Sequence, residues 1–148
     1  MNVLKELAKK KNIAIKIDIN KDIPYILGNS GWFKQMLLNL IDNAIKYTKE
    51  DGVVKISVDN DEDNMYIYVS DTGIGIDSEH LDRLFERFYR VDKSRTREVG
   101  GTGLGLAIVK HIVRSFEGTI NIESQVNKGT KIYIILPLDN NNIEKILI

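Results

Sequence analysis

The chain has 148 residues, 43% apolar and 28% charged, with 21 Lys and Arg balanced by 21 Asp and Glu; that is enough for one domain with its own core, without the net basic field that a general nucleic-acid surface requires. It has no cysteine, which excludes disulfides and thiolate metal sites. No apolar run approaches membrane-spanning length and the N-terminus has no signal-peptide core, so an intracellular, reducing compartment fits.

Residues 1–11 read as a short helix or helix end, with Leu4, Leu7 and Ala8 on one side. In IAIKIDI, residues 13–19, the strict alternation puts Ile13, Ile15, Ile17 and Ile19 on one face of a half-buried strand. A turn region with Pro24 and Gly28 follows. From about Ser30 to Tyr47, Phe33, Met36, Leu37, Leu40, Ile41 and Ala44 recur at helical spacing. KEDG then marks a turn, and VVKISV and MYIYVS are strands joined by the acidic turn DNDEDN. The spacing of Leu81, Leu84, Phe85 and Phe88 predicts a helix over 78–89, capped by Asp77 or Ser78. Residues 91–103 are polar, charged and glycine-rich, which predicts a mobile loop. A second strong helix spans 104–116 and stops at Gly118 in the usual C-cap position. TINIES and TKIYIILP close the domain as a hairpin around QVNKG, and an Asn-rich tail follows. Paired neighbouring strands with helices between the pairs predict an α/β two-layer sandwich: a mixed, mostly antiparallel sheet covered on one face by three helices.

Four stretches carry chemistry. VGGTGLGLAIVK concentrates Gly100, Gly101, Gly103 and Gly105 just before a helix, and backbone amides at a helix N-terminus attract phosphate. Neither P-loop nor dinucleotide spacing is met, and a flexible hinge explains the glycines equally well. VSDTGIGI ends a strand in Asp71 with Gly73 and Gly75 close behind. An acceptor-only carboxylate there can receive a purine amine, or simply form an Asx-turn. On the 30–47 helix, Asn39 and Asn43 share a face at i, i+4. Their amide oxygens can join a Mg²⁺ whose other ligands are phosphate oxygens, or cap a neighbouring loop, while Lys46 offers a charge and Tyr47 a ring. Finally, RLFERFYRVDKSRTR, residues 83–97, clusters Arg83, Arg87, Arg90, Lys93, Arg95 and Arg97 in a chain of zero net charge, which suits a polyphosphate; a solvated helix face is the competing account of Arg83 and Arg87.

In this order, the stretches resemble the catalytic ATP-binding domain of sensor histidine kinases, within the superfamily of gyrase, Hsp90, histidine kinases and MutL. NLIDNAIKYT is similar to the family's N box, DTGIGI to its first glycine box, FERFYRVD to its F box, GGTGLGLAIVK to its second glycine box, and NKGTKIYIILP to the Gly-Thr element before the last strand. The resemblance implies the Bergerat-type fold and a bound ATP with Mg²⁺. It implies that Asp71 receives the adenine amine, that Tyr47 lies along the ring with Ile76 among the apolar walls, and that Thr130 helps hold the base. Asn43 would ligate Mg²⁺, with Asn39 close to metal or phosphates; Lys46 and Arg90 would meet phosphates. Gly73 and Gly75 would shape the base side, and Gly101, Thr102, Gly103, Leu104 and Gly105 the lid hinge and phosphate cradle.

One position departs from the hydrolytic members, which carry a glutamate base four residues before the metal-binding asparagine. Here it is Asn39, which cannot take a proton at neutral pH, so transfer to an external nucleophile is favoured over hydrolysis. The family's acceptor is a histidine on a separate helical dimerisation domain. Neither His80 nor His111 has the expected His-Glu/Asp context, and both read as structural or surface residues. The resemblance therefore implies residues 12–138 as the catalytic domain, 1–11 as a candidate end of the dimerisation-domain helix and 139–148 as a tail. It also implies the dimerisation domain and a response regulator as partners, with no nucleic acid and no membrane contact by this segment, in the cytoplasmic portion of a membrane-anchored kinase. Two alternatives share the fold: a stand-alone serine kinase of the anti-sigma-factor type, and a non-catalytic module that docks a partner when nucleotide binds.

Overall fold

A computed structural model describes residues 2–91 and 104–139. Its elements run α1 (Asn2–Lys10), β1 (Ala14–Ile19), α2 (Ser30–Tyr47), β2 (Val53–Asn60), β3 (Asn64–Asp71), α3 (Ser78–Leu81), α4 (Gly105–Ser115), β4 (Thr119–Gln125) and β5 (Gly129–Pro137). The strands form one sheet in the order β1-β2-β3-β5-β4. β1 runs parallel to β2 and every other pair is antiparallel. The expected mixed two-layer α/β architecture is present.

Alternation decides the layers. Val54 and Ile56 on β2, Met65, Ile67 and Val69 on β3, and Ile132, Ile134 and Leu136 on β5 are buried on one face, as period-2 patterning requires. Helices cover that face through Ala8 of α1, Met36, Leu40, Ala44 and Ile45 of α2, and Val109, Ile112 and Val113 of α4. The opposite face carries Tyr68 and Tyr133, whose rings lie 6.3 Å apart, with Lys131 Nζ 5.0 Å from the Tyr68 ring. α2 starts where Asn29 accepts a hydrogen bond from the Trp32 amide at 3.0 Å, a side-chain N-cap.

Three local expectations are corrected. β1 was expected to be half-buried, but only Ile13, just before it, is in the core; Ile15, Ile17 and Ile19 are 38%, 65% and 54% exposed. Their register with Val54, Ile56 and Val58 puts them on the helical face. β1 is the sheet's edge, however, and the helical layer stops short of it. The helix expected over 78–89 is a single turn, Ser78–Leu81, capped as anticipated by Asp77, which accepts from the Glu79 amide at 3.2 Å. Beyond it the amides of Arg83, Glu86 and Tyr89 bond three residues back, to His80, Arg83 and Glu86. That tighter bonding is poor over long runs, and the segment buries only Leu84 fully. Phe88, expected inward, has φ 63 and is 70% exposed.

The third correction concerns the end of α4. The left-handed residue is Glu117, φ 59, not Gly118. The Gly118 amide bonds Val113 O and the Glu117 amide bonds Arg114 O, both at 2.9 Å, the paired closure of a Schellman motif. Gly118 is needed for close approach instead, because a Cβ there would lie 2.5 Å from Leu136 Cδ2. The expected lid at 91–103 (all but Val91) and the tail from 140 lie outside the described residues.

Candidate functional site

The site is assembled where β3, α2 and the β4–β5 turn meet. Asp71 ends β3 and sits in register with Thr130 on β5. One of its carboxylate oxygens accepts the Gly73 amide at 2.8 Å, so the Asx-turn is real. It engages that oxygen alone and leaves the carboxylate further acceptor capacity. Burial pushes the Asp71 carboxyl above its ordinary value, against the opposing pull of the Gly73 and Thr130 amides. Desolvation outweighs hydrogen bonding here, a pattern associated with functional carboxylates.

The turn after Asp71 is pinned on both sides. The Ile74 amide donates to Tyr47 O at 3.1 Å, and the Asn127 amide to Ile74 O at 2.7 Å. A Cβ on Gly73 would lie 2.2 Å from Tyr47 O, so the turn rests directly on the end of α2. Gly75 has φ 67, and a Cβ there would lie 2.0 Å from Gln125 O. Only glycines allow both approaches.

Ser124, which the motifs did not flag, joins the last pieces. Its Oγ accepts the Ile76 amide at 2.8 Å, donates to Gly129 O at 2.9 Å and lies 2.8 Å from Thr130 Oγ1. A hydroxyl has one donor. With that hydrogen on Gly129 O, Thr130 must donate to Ser124, and the Thr130 oxygen keeps acceptor capacity only. Asp71 and Thr130 therefore both offer acceptors, the pattern that suits an exocyclic amine or a water bound to one. The only sequence signal for Ser124 is its place at the end of TINIES, opposite Thr130.

Asn39, Asn43 and Lys46 occupy one stripe of α2, leading away from Tyr47. Asn39 Nδ2 is buried with no hydrogen-bond partner among the described residues. Lys46 Nζ is held 2.7 Å from Asp42 in an i, i+4 ion pair that the sequence reading had not assigned.

The structure does not bring Arg90 into this junction; it lines a separate cavity of about 310 Å³ with Arg83, Glu86, Arg87, Phe88 and Tyr89. Arg83 is turned to Glu86, with contacts down to 3.1 Å, and covers the Tyr89 ring at 4.4 Å, in keeping with a solvated role. The histidines make local contacts: His80 Nδ1 bonds the Tyr89 hydroxyl, and the His111 ring lies 6.3 Å from that of Trp32. Leu104 is the N-cap of α4 and offers no side-chain hydrogen bond. A Cβ on Gly105 would meet nothing within 4 Å among the described residues. Gly101, Thr102 and Gly103 lie outside the described residues. Tyr47, Asp71, Gly73, Gly75, Ile76 and Thr130 are thus brought into one hydrogen-bonded junction, and the asparagine stripe runs up to it.

Comparison with known proteins agrees with this geometry. Residues 28–140 match the family model described as histidine kinase-, DNA gyrase B-, and HSP90-like ATPase. The chain is 42% identical to the sensor histidine kinase WalK of Bacillus subtilis over 134 residues, 89% of this chain and 22% of WalK. Among solved structures it is similar to a mycobacterial sensor histidine kinase, MprB, with a TM-score of 0.77 and 29% identity over 92% of this chain and 91% of that one. Full-length ShkA, determined in complex with AMPPNP, matches with the same score and identity over 92% of this chain and 28% of ShkA.

Proposed function

We propose, on the premise that the chain belongs to the histidine kinase-, DNA gyrase B- and HSP90-like ATPase family, that it is the catalytic ATP-binding part of a two-component sensor histidine kinase. It spans between 18% and 29% of the length of the curated relatives it matches. In this reading residues 12–138 are the catalytic unit, 1–11 end the helix of a dimerisation domain and 139–148 are a tail. The partners are that domain, which bears the acceptor histidine, and a response regulator. No helix among the described residues is long and apolar enough to cross a membrane; the reading puts this segment on the cytoplasmic side of an anchored parent.

The observation that carries the reading is the buried Asn39 Nδ2, without a hydrogen-bond partner among the described residues, on the stripe ending at Tyr47 and the Asp71 turn. A buried donor without an acceptor costs about 1–3 kcal/mol, and a triphosphate oxygen would satisfy it. Asp71 takes the adenine amino group, Tyr47 and Ile76 cover the ring, and Thr130 contributes an acceptor. Lys46 and Arg90 face the phosphates, and Gly101, Thr102, Gly103, Leu104 and Gly105 enclose them. The donor set also fits Mg²⁺, since neutral amide oxygens hold it when phosphates complete the shell. Asn43 would ligate it with Asn39 beside it, and the metal would neutralise phosphate charge.

Phosphoryl transfer needs positioning and charge neutralisation more than covalent help from the protein. The acceptor imidazole brings its own lone pair: its nitrogen bonds the γ-phosphorus, the bridging P–O bond breaks with its electron pair leaving on ADP, and the imidazolium proton passes to solvent. Asn39 has no basic group with which to activate water instead.

WalK and MprB are sensor histidine kinases, which favours this reading over a serine kinase or a docking module. The test mixes the chain with radiolabelled ATP and a separately made histidine-bearing dimerisation domain. Acid-labile label on that domain is expected. Acid-stable label on a serine partner, or tight ATP binding without transfer, would overturn the reading.

A further inference from the structure

A helix leaves its last carbonyls without intrahelical partners. At the end of α2 each carbonyl from Ala44 to Thr48 has a partner, and the partners come from three parts of the chain. Ala44 O receives the Thr48 amide at 3.1 Å and its hydroxyl at 2.6 Å. Tyr47 O receives the Ile74 amide at 3.1 Å. The carbonyls of Ile45, Lys46 and Thr48 converge on one atom, Lys11 Nζ, at 3.0, 2.9 and 2.6 Å. An ammonium has three donors, and all are used.

Lys11 follows directly on α1, and the joint around it is doubly bonded. The Asp51 amide donates to Lys11 O at 3.0 Å, and Asn12 Nδ2 donates to Asp51 Oδ1 at 2.6 Å. Burial lowers the Lys11 ammonium below its usual pKa, against the opposing Glu50 carboxylate. The negative end of α2 offsets the cost of keeping a cation there. The same turn carries Lys46 and Tyr47, and through Tyr47 O it seats the Gly73–Ile74 turn next to Asp71.

We propose that Lys11 is a positioning residue for nucleotide binding: its ammonium locks the last turn of α2 so that Lys46, Tyr47 and the Asp71 turn present a single binding surface, which couples the placement of α1 to nucleotide affinity. The inference rests on the nucleotide site proposed above. An ordinary helix cap would affect stability alone. A coupling residue must also move affinity, and by linkage the nucleotide must act back on Lys11 to the same extent.

The test compares the unmodified chain with Lys11→Met, which keeps the stem and removes the donors. AMPPNP affinity is measured calorimetrically, well below both melting temperatures. Lys11→Met should bind about tenfold more weakly. If it does not fold, the unmodified chain still decides. NMR titration of Lys11 Nζ, free and saturated with AMPPNP, should show its pKa rising by about one pH unit on binding. Affinity within about twofold and an unmoved Lys11 titration would overturn the inference, whatever happens to the melting temperature. Absence of nucleotide binding by the unmodified chain would overturn the site reading itself and this inference with it.

Discussion

Replacing Asp71 with asparagine separates the two demands placed on that carboxyl. One oxygen accepts the Gly73 amide at 2.8 Å, and an asparagine oxygen can do the same. The other position becomes an N–H donor, which opposes the adenine amino group instead of accepting from it. A hydrogen bond to a charged group contributes about 1.5–3 kcal/mol, so Asp71→Asn should weaken ATP binding by roughly 10- to 150-fold. Inosine triphosphate has a carbonyl oxygen where adenine has its amine, and should gain from the same change. Stability should move the other way. Folding raises the Asp71 pKa, burial being the larger cause. Its contribution is therefore present below the unfolded-state pKa and lost as pH rises through the higher folded-state value. At neutral pH the ionised carboxyl costs stability, and the neutral amide removes that cost. The Tm of Asp71→Asn at pH 7 should equal or exceed that of the parent, with a smaller loss between acid and neutral pH. Titration calorimetry with both nucleotides and melting curves against pH read these outcomes. An unchanged ATP-to-ITP affinity ratio would refute the contact, and a lower Tm at pH 7 would refute the electrostatic sign.

Gly129 has φ 125, and a Cβ there would lie 1.9 Å from Asp71 O. Gly129→Ala should cost about 3 kcal/mol, or about 6–12 °C in Tm, and displace Asp71 enough to weaken nucleotide binding; a Tm within about 2 °C of the parent would contradict the close packing. Glu117→Gly relieves the left-handed residue closing α4 and should add about 0.5–1 kcal/mol, read by urea denaturation with an unchanged m-value. Ser124→Ala removes the hub between Ile76, Gly129 and Thr130. It should cost about 1–3 kcal/mol and accelerate hydrogen exchange at the Ile76 amide; exchange at the parent's rate would show that the hub does not hold that turn.

Much of the architecture is legible in the sequence. The apolar period of α2, the alternation of β2, β3 and β5, and the Asp-Gly turn after β3 are local signals, and each depends on side-chain spacing along a single element. The nucleotide-side candidates Asn39, Asn43, Lys46 and Tyr47 were legible for the same reason, because one helix carries them at fixed angular intervals.

What the tertiary structure decided is whatever depends on a neighbour distant in sequence. Ile15, Ile17 and Ile19 share a face by their alternation alone, but only the sheet order places them on an edge beyond the helices. Glu117 rather than Gly118 takes the left-handed position, and it is Leu136 of β5 that leaves no room for a side chain at Gly118. Ser124, Asp42 and Lys11 are unremarkable letters that become a hub, an ion-pair partner and a three-carbonyl clamp once the chain is folded. Periodicity records which way a side chain points, while burial and hydrogen bonding are set by what lies opposite, and only folding brings that partner into place.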